Sequence, residues 1–291
     1  MMAGKANSVA FMDIGKPSQT ALFATAARAA HLAVDHSPFL LRDTVAGPLL
    51  GPAADEMIGY HREHGDHIVL AGTRTLTTVR AAFTERRLSA SGAGQYVVLG
   101  AGLDTFAHRS AGGVRVFEVD HPATQEWKRG LLDAAGIVPP PGTAYVPADF
   151  EEGPPWDALA AAGLDASRPA LVGWLGVSVY LTPEAIGATL AGLARHLAPG
   201  SELVMEYMVP PGLRDETGEQ YAAFAGQAAG ERGEPYRTFL TPGEVAELTA
   251  AHGLTVVEDA GTREAVPAEL WDRTDALRPF AFARLVRAVV A

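Results

Sequence analysis

The stretch YVVLGAGLDTFAHR, residues 96–109, decides the fold. A short apolar run enters Gly100-Ala101-Gly102 and is followed at once by Asp104 and Thr105. Such a run reads as a strand ending in a glycine turn, the opening of a Rossmann-like nucleotide site. The turn departs from the dinucleotide pattern in two ways. Thr105 stands where a third glycine would let the next helix pack closely. Asp104 brings negative charge to a turn that would otherwise receive a pyrophosphate on its free N–H groups.

Downstream, RVFEVD (115–120), TAYVPADF (143–150), PALVGWLGV (169–177) and SELVMEYM (201–208) read as strands two to five. Helical patterns separate them: PATQEWKRGLLDAAG, PWDALAAAG and PEAIGATLAGLARHL, the last with proline in its first turn. A polar, glycine-rich insertion occupies about 208–240. TPGEVAELTAAHG follows, with Thr241 as candidate N-cap, and LTVVEDA and FAFARLVRAVV complete seven strands. Strands alternating with helices predict an α/β fold with a mostly parallel seven-stranded sheet. Upstream, residues 1–90 read as an N-terminal helical cap on a core of 91–291. SPFLLRDTVAGPLLGP is a loop within that cap, and HREHGDH (61–67) a solvated helix face with no metal-site order.

Composition narrows the function. Of 291 residues, 23 are Lys or Arg and 34 Asp or Glu, a net charge of −11 that disfavours a nucleic-acid partner. The absence of cysteine excludes disulfides, thiolate metal sites and a cysteine nucleophile, and fits a cytoplasmic protein. The N-terminal 20 residues lack the apolar region of a secretion signal. The longest apolar run, ALVGWLGVSVYL, falls short of the roughly 20 residues a membrane helix needs.

Charge also separates the nucleotides. An acidic residue about 20 positions past the turn is where a ribose diol is held, and Asp120, closing Glu118-Val119-Asp120, lies there. Asp149-Phe150 offers an acceptor for an exocyclic amine and a stacking face, as adenine requires. Asp104 would repel the phosphates of NAD but suits the sulfonium and ammonium of S-adenosylmethionine. Asp104 as a simple cap of the next helix is the plainer alternative. Three acidic strand ends in one crevice, Asp104, Asp120 and Asp149, favour S-adenosylmethionine.

QYVVLGAGLDTFAHR, VFEVDHPATQEWKR, VPADF, WLGVSVYLTPEAI and GEPYRTFLTPGEVAELTAAHGLTVVE together resemble the leucine carboxyl methyltransferase family, in particular its bacterial S-adenosylmethionine-dependent branch. TALFATAARAAH and AGTRTLTTV resemble its arginine motifs. The resemblance implies a class I methyltransferase fold with a helical cap and an insertion after strand five. It implies that Arg74, helped by Tyr180, pairs with the cofactor carboxylate. Gly100 and Gly102 would let the backbone approach the cofactor, Asp120 would hold the ribose and Asp149 with Phe150 the adenine, while Ala101, Asp104, Thr105, Glu118, His121 and Leu175 complete the expected cofactor-binding set. Leu175 stands where family members often carry glutamate, a departure that puts close transfer of their substrate in doubt.

Function then reads as O-methyl transfer to a carboxylate or hydroxyl of a small molecule or peptide, in bacterial specialised metabolism, with no metal. A carboxylate needs no general base; a hydroxyl does, and His31, His36, His61, His64 and His67 are the cap's candidates. His108 is expected to pack on the next helix. Trp174, Tyr180, Tyr207, Tyr221, Phe224, Tyr236 and Phe239 are candidates for an acceptor pocket, with the 208–240 insertion as its lid. A cofactor-binding homologue without transferase activity and an NAD-dependent oxidoreductase are the alternatives.

Overall fold

Five parallel strands carry the site: β1 (Gln95–Leu99), β2 (Arg115–Asp120), β3 (Thr143–Pro147), β4 (Leu171–Trp174) and β5 (Glu202–Met208). β6 (Leu254–Gly261) and β7 (Ala283–Val290) complete a seven-stranded sheet in the order β3-β2-β1-β4-β5-β7-β6. Only β7 runs antiparallel to its neighbours. The order reverses beside β1, between β1 and β4, which makes the carboxyl ends of these strands the place for a ligand. The computed structural model describes residues 18–150 and 152–291. The first 17 residues, most of the stretch tested above for a secretion signal, lie outside the described residues, as does Glu151.

Strand alternation explains why both faces are covered. Val97 and Leu99 of β1 face a core with Phe117, Val119 and Trp174. That core is closed by α7 (Trp156–Ala161), α8 (Pro183–His196) and α10 (Pro242–Ala251). Tyr96 and Val98, pointing the other way, meet Val79, Ala82 and Phe83 of α4 (Ile68–Ser91). The short α5 (Phe106–Arg109) follows β1, and α6 (Pro122–Ala134) joins β2 to β3. Thr241 caps α10 as its sequence predicts, in a reciprocal box with Glu244.

Before β1 come α1 (Gln19–Val34), α2 (Ala46–Leu49), α3 (Ala54–His64) and α4. The segment expected to be a loop at 37–52 contains α2, started by Asp43, whose Oδ1 accepts from Val45 N and Ala46 N. The insertion after β5 holds α9 (Glu216–Glu231). Its two ends meet, Leu240 N donating to Met208 O at 2.9 Å. No helix among the described residues is long and apolar enough to cross a membrane.

Candidate active site

A cavity of about 1110 Å³ lies at the carboxyl ends of the parallel strands, walled by their turns and by α1, α3, α4 and α9. Of the expected site residues, Gly100, Ala101, Gly102, Asp104, Asp120, His121, Asp149, Phe150, Leu175 and Tyr180 lie on its wall. Gly100 and Ala101 donate their N–H groups to Val119 O at 2.8 and 2.9 Å, which ties the first turn to the end of β2. Gly100 has φ +70°, and a Cβ there would overlap Val177. Gly102 has φ +50°, and a Cβ would stand 3.1 Å from that of Ala21. Both positions therefore require glycine.

Asp120 accepts from Gly102 N at 2.5 Å and His121 N at 2.7 Å. Burial raises its carboxyl above the ordinary value, and these two N–H groups oppose the rise. Asp104 accepts from Phe106 N at 2.7 Å while also lining the cavity, so the one side chain both turns the chain into α5 and stands at the wall.

Three expected residues lie elsewhere. Arg74 is 1% exposed and fully engaged behind the wall. It holds Asp35 through Nε at 2.9 Å and Nη2 at 3.1 Å, Gly65 O through Nη2 and His61 Nδ1 through Nη1. One helix step rotates it away from Thr73, Thr77 and Arg80, which do line the cavity. Thr105 is buried, donating to Asp43 at 2.7 Å and accepting from Arg109. Glu118 sits two residues back inside β2, under α6, where Lys128 pairs with it at 2.5 Å. Burial raises that carboxyl, against the pull of Lys128.

Residues 21–194 match the family described as leucine carboxyl methyltransferase. The chain belongs to this family. A Bacillus subtilis (strain 168) protein, YktD, is 32% identical over 216 residues, covering 72% of this chain and 71% of the relative. A Mycolicibacterium smegmatis protein is 34% identical over 207 residues, 66% of this chain and 67% of the relative. Both bear an S-adenosyl-L-methionine-dependent methyltransferase assignment. Among solved structures, a Thermobifida fusca YX protein assigned as a methyltransferase superposes with TM-score 0.57 at 20% identity, over 96% of this chain and 97% of that one. A duf574 family protein of Streptomyces avermitilis gives TM-score 0.58 at 20% identity, over 91% and 97%. These two are likenesses of fold.

As a member of the leucine carboxyl methyltransferase family, the chain is a methyltransferase that uses S-adenosylmethionine. Its cavity fits that cofactor. The small-residue turn Gly100-Ala101-Gly102 lies on its wall, and the carboxylates Asp104, Asp120 and Asp149 beside the strand ends line the same space. Arg28 is one of the arginines on the wall. It sits on α1, held by Asp43 through Nε at 2.8 Å, with Nη2 on Leu103 O and Thr25 Oγ1. Burial alone would raise the Asp43 carboxyl, but Arg28 and Arg109 hold it below its ordinary value. The signal in the sequence was one arginine within the alanine-rich TAARAAHLAV.

The histidines have settled roles. His61, read above as part of a solvated face, is 5% exposed. Its Nδ1 accepts from Arg74, and burial with that guanidinium lowers its pKa to about 4. His67 Nδ1 accepts from Val69 N and caps α4; His121 Nδ1 accepts from Ala123 N and caps α6. In each of these three cavity residues the neutral ring therefore carries its hydrogen on Nε2. His31 is buried between Asp35 and Leu40 N, His36 pairs with Thr274 on the surface, and His64 is exposed beside Tyr60. His108 is half-buried with neither nitrogen bonded, and burial lowers its pKa to about 4. Among the described residues no cluster of His, Asp and Glu could hold a metal. Of the candidate aromatics, Tyr180, Tyr221, Phe224 and Tyr236 line the cavity. Trp174 and Tyr207 belong to the core, and Phe239 packs on Tyr236.

Proposed function

We propose that this methyltransferase forms methyl esters, taking the carboxylate of a small molecule as acceptor. One observation carries the reading: every histidine on the cavity wall presents an N–H and no free lone pair. Histidine is the usual base for a hydroxyl acceptor, whereas a carboxylate is already ionised near neutrality and needs none. Cavity size supports a small acceptor. At about 1110 Å³ it exceeds the roughly 300–1,000 Å³ of a pocket for one ligand, leaving room for a second molecule beside the cofactor.

In this reading Asp120 holds the ribose, Asp149 and Phe150 the adenine, and Asp104 faces the positive groups. Gly100, Ala101 and Gly102 let the backbone approach, with His121, Leu175 and Tyr180 completing the wall. Arg28, on the wall where Arg74 is not, takes the cofactor carboxylate. When bound, S-adenosylmethionine supplies the methyl carbon: an acceptor oxygen lone pair forms the new C–O bond as the C–S bond breaks, leaving a neutral thioether. The protein's part is to align the acceptor and exclude water under α9, the lid of the 208–240 insertion. No proton has to move. A net charge of −11 keeps nucleic acid off the partner list of this reading.

Calorimetric titration with S-adenosylhomocysteine tests the site. The wild-type chain should bind it and not NAD, and Asp120→Ala should weaken binding by at least about tenfold, as for loss of charge-assisted hydrogen bonds. Labelled methyl groups transferred to an acceptor should be released as methanol by mild base. A base-stable product would replace the ester assignment with an ether or amine.

A further inference from the structure

Arg80 occupies a seat made for it. A Cβ built on Gly176, just past β4 with φ +69°, would stand 2.5 Å from its Nη1 and 2.8 Å from its Nη2. The guanidinium therefore lies at the carboxyl end of β4, in space that any side chain at 176 would take. Nη1 donates at 2.8 Å to Glu206 of β5, whose side chain is 2% exposed. Nε and Nη2 have no partner among the described residues. The Arg80 side chain is 19% exposed and lines the cavity, so these two groups open into it. Together they form one flat edge of the guanidinium, the edge that meets a carboxylate through two parallel hydrogen bonds.

The surroundings are aromatic. Tyr180 and Tyr236 have ring centroids 5.7 Å apart, and Tyr221 and Phe282 5.1 Å. Leu76 and Met208 fill the gaps. Tyr221 reaches α4 where Gly72 lacks a side chain, and its hydroxyl pairs with Thr73 at 3.1 Å. Burial raises the pKa of Tyr180, Tyr221 and Tyr236, so the phenols stay neutral and leave Arg80 as the anchor. Phe23, Tyr60 and Phe224, each more than 40% exposed, line the same cavity from α1, α3 and α9 and add aromatic surface to it.

We propose that this chamber is the acceptor subsite and takes a flat, apolar monocarboxylic acid, aromatic by preference, held at its carboxylate by the open edge of Arg80. The assignment rests on the methyl-ester reading above. Glu206 fixes the plane of the guanidinium and balances its charge. A two-pronged grip uses one lone pair on each carboxylate oxygen and leaves another on each for the new bond. The ester product has lost the negative charge, and with it the charge-assisted bonds to Arg80, so methylation itself loosens the product.

The test is calorimetric titration of the full chain, saturated with S-adenosylhomocysteine, with benzoate, benzamide and methyl benzoate as probes. Benzoate should bind roughly 10- to 100-fold more tightly than the two neutral analogues. Arg80→Gln combined with Glu206→Gln removes both charges and leaves no buried charge alone. That double variant should lose the preference while its affinity for S-adenosylhomocysteine stays at the wild-type value. Equal affinity for the three probes, or no benzoate binding, in a chain that still binds S-adenosylhomocysteine overturns the acceptor assignment and leaves the cofactor site standing. A preference that survives in the double variant overturns the role of Arg80. Failure of the wild-type chain to bind S-adenosylhomocysteine overturns the site beneath both proposals.

Discussion

The cavity has two kinds of wall. The strand-end wall is built by backbone: two positive-φ glycines, two N–H groups on Val119 O, and Asp120 bonded to the N–H groups of Gly102 and His121. The helical wall is built by side chains that meet across long stretches of chain. Arg74 finds Asp35 across 39 residues, Arg80 finds Glu206 across 126, and Thr20 N reaches Glu234 across 214. The first wall is specified locally and can vary little. The second depends on which long side chains happen to face one another, and there a substrate preference can change without disturbing the cofactor.

Arg74 gives the largest expected effect and the sharpest test of the division. Arg74→Met leaves Asp35, 1% exposed in its side chain, without its guanidinium. Loss of about 3–5 kcal/mol is expected in chemical denaturation, as for one partner removed from a buried pair. Arg74→Met with Asp35→Leu should recover much of it, since no lone charge remains. If instead Arg74→Met kept full stability and lost S-adenosylhomocysteine binding, Arg74 would belong to the cofactor and the two walls would not divide as described. Gly100→Ala probes the other wall. Positive φ and overlap with Val177 should together cost about 2–4 kcal/mol and abolish S-adenosylhomocysteine binding. Near wild-type stability with intact binding would mean that the turn can shift, and that local specification is weaker than its geometry suggests.

The same division explains what the sequence made legible. All seven strands and the mostly parallel sheet were readable because apolar runs, glycine turns and strand-end acids are local signals. Ten of the thirteen expected site residues reach the cavity wall, and most of these belong to the turns after the parallel strands. The misses are side chains whose direction depends on tertiary partners. Glu118 and Asp120 share a strand face, yet Lys128 pairs with Glu118 while Asp120, at the strand end, reaches the cavity. Arg74 and Arg80 share a helix, and six residues of rotation send one into a buried ion pair and the other to the cavity. Nothing local distinguishes them. A buried His61 was equally invisible, because HREHGDH has the composition of a solvated face until Arg74 is known to lie against it.

His61 also supplies the smallest effect, one that is read by pH. Burial first, then Arg74, lowers its pKa from the ordinary 6.5 to about 4, with Asp35 opposing. The folded chain therefore binds this proton less tightly than the unfolded chain. Stability is complete above about pH 6.5 and falls as the pH drops towards 4, where the loss levels off. Allowing for solvent at the cavity wall, the share of His61 is on the order of 2 kcal/mol. His108, lowered to about 4 by burial and Lys128, adds a loss of the same sign. Denaturation midpoints measured from pH 7 to pH 4 should therefore decline less steeply in His61→Gln, which keeps a neutral group against Arg74, than in the wild type. Parallel declines would mean that the His61 ring is charged in the folded state. The Arg74 network would then have to open to admit that charge, and the helical wall would be looser than the strand-end wall in structure as well as in specification.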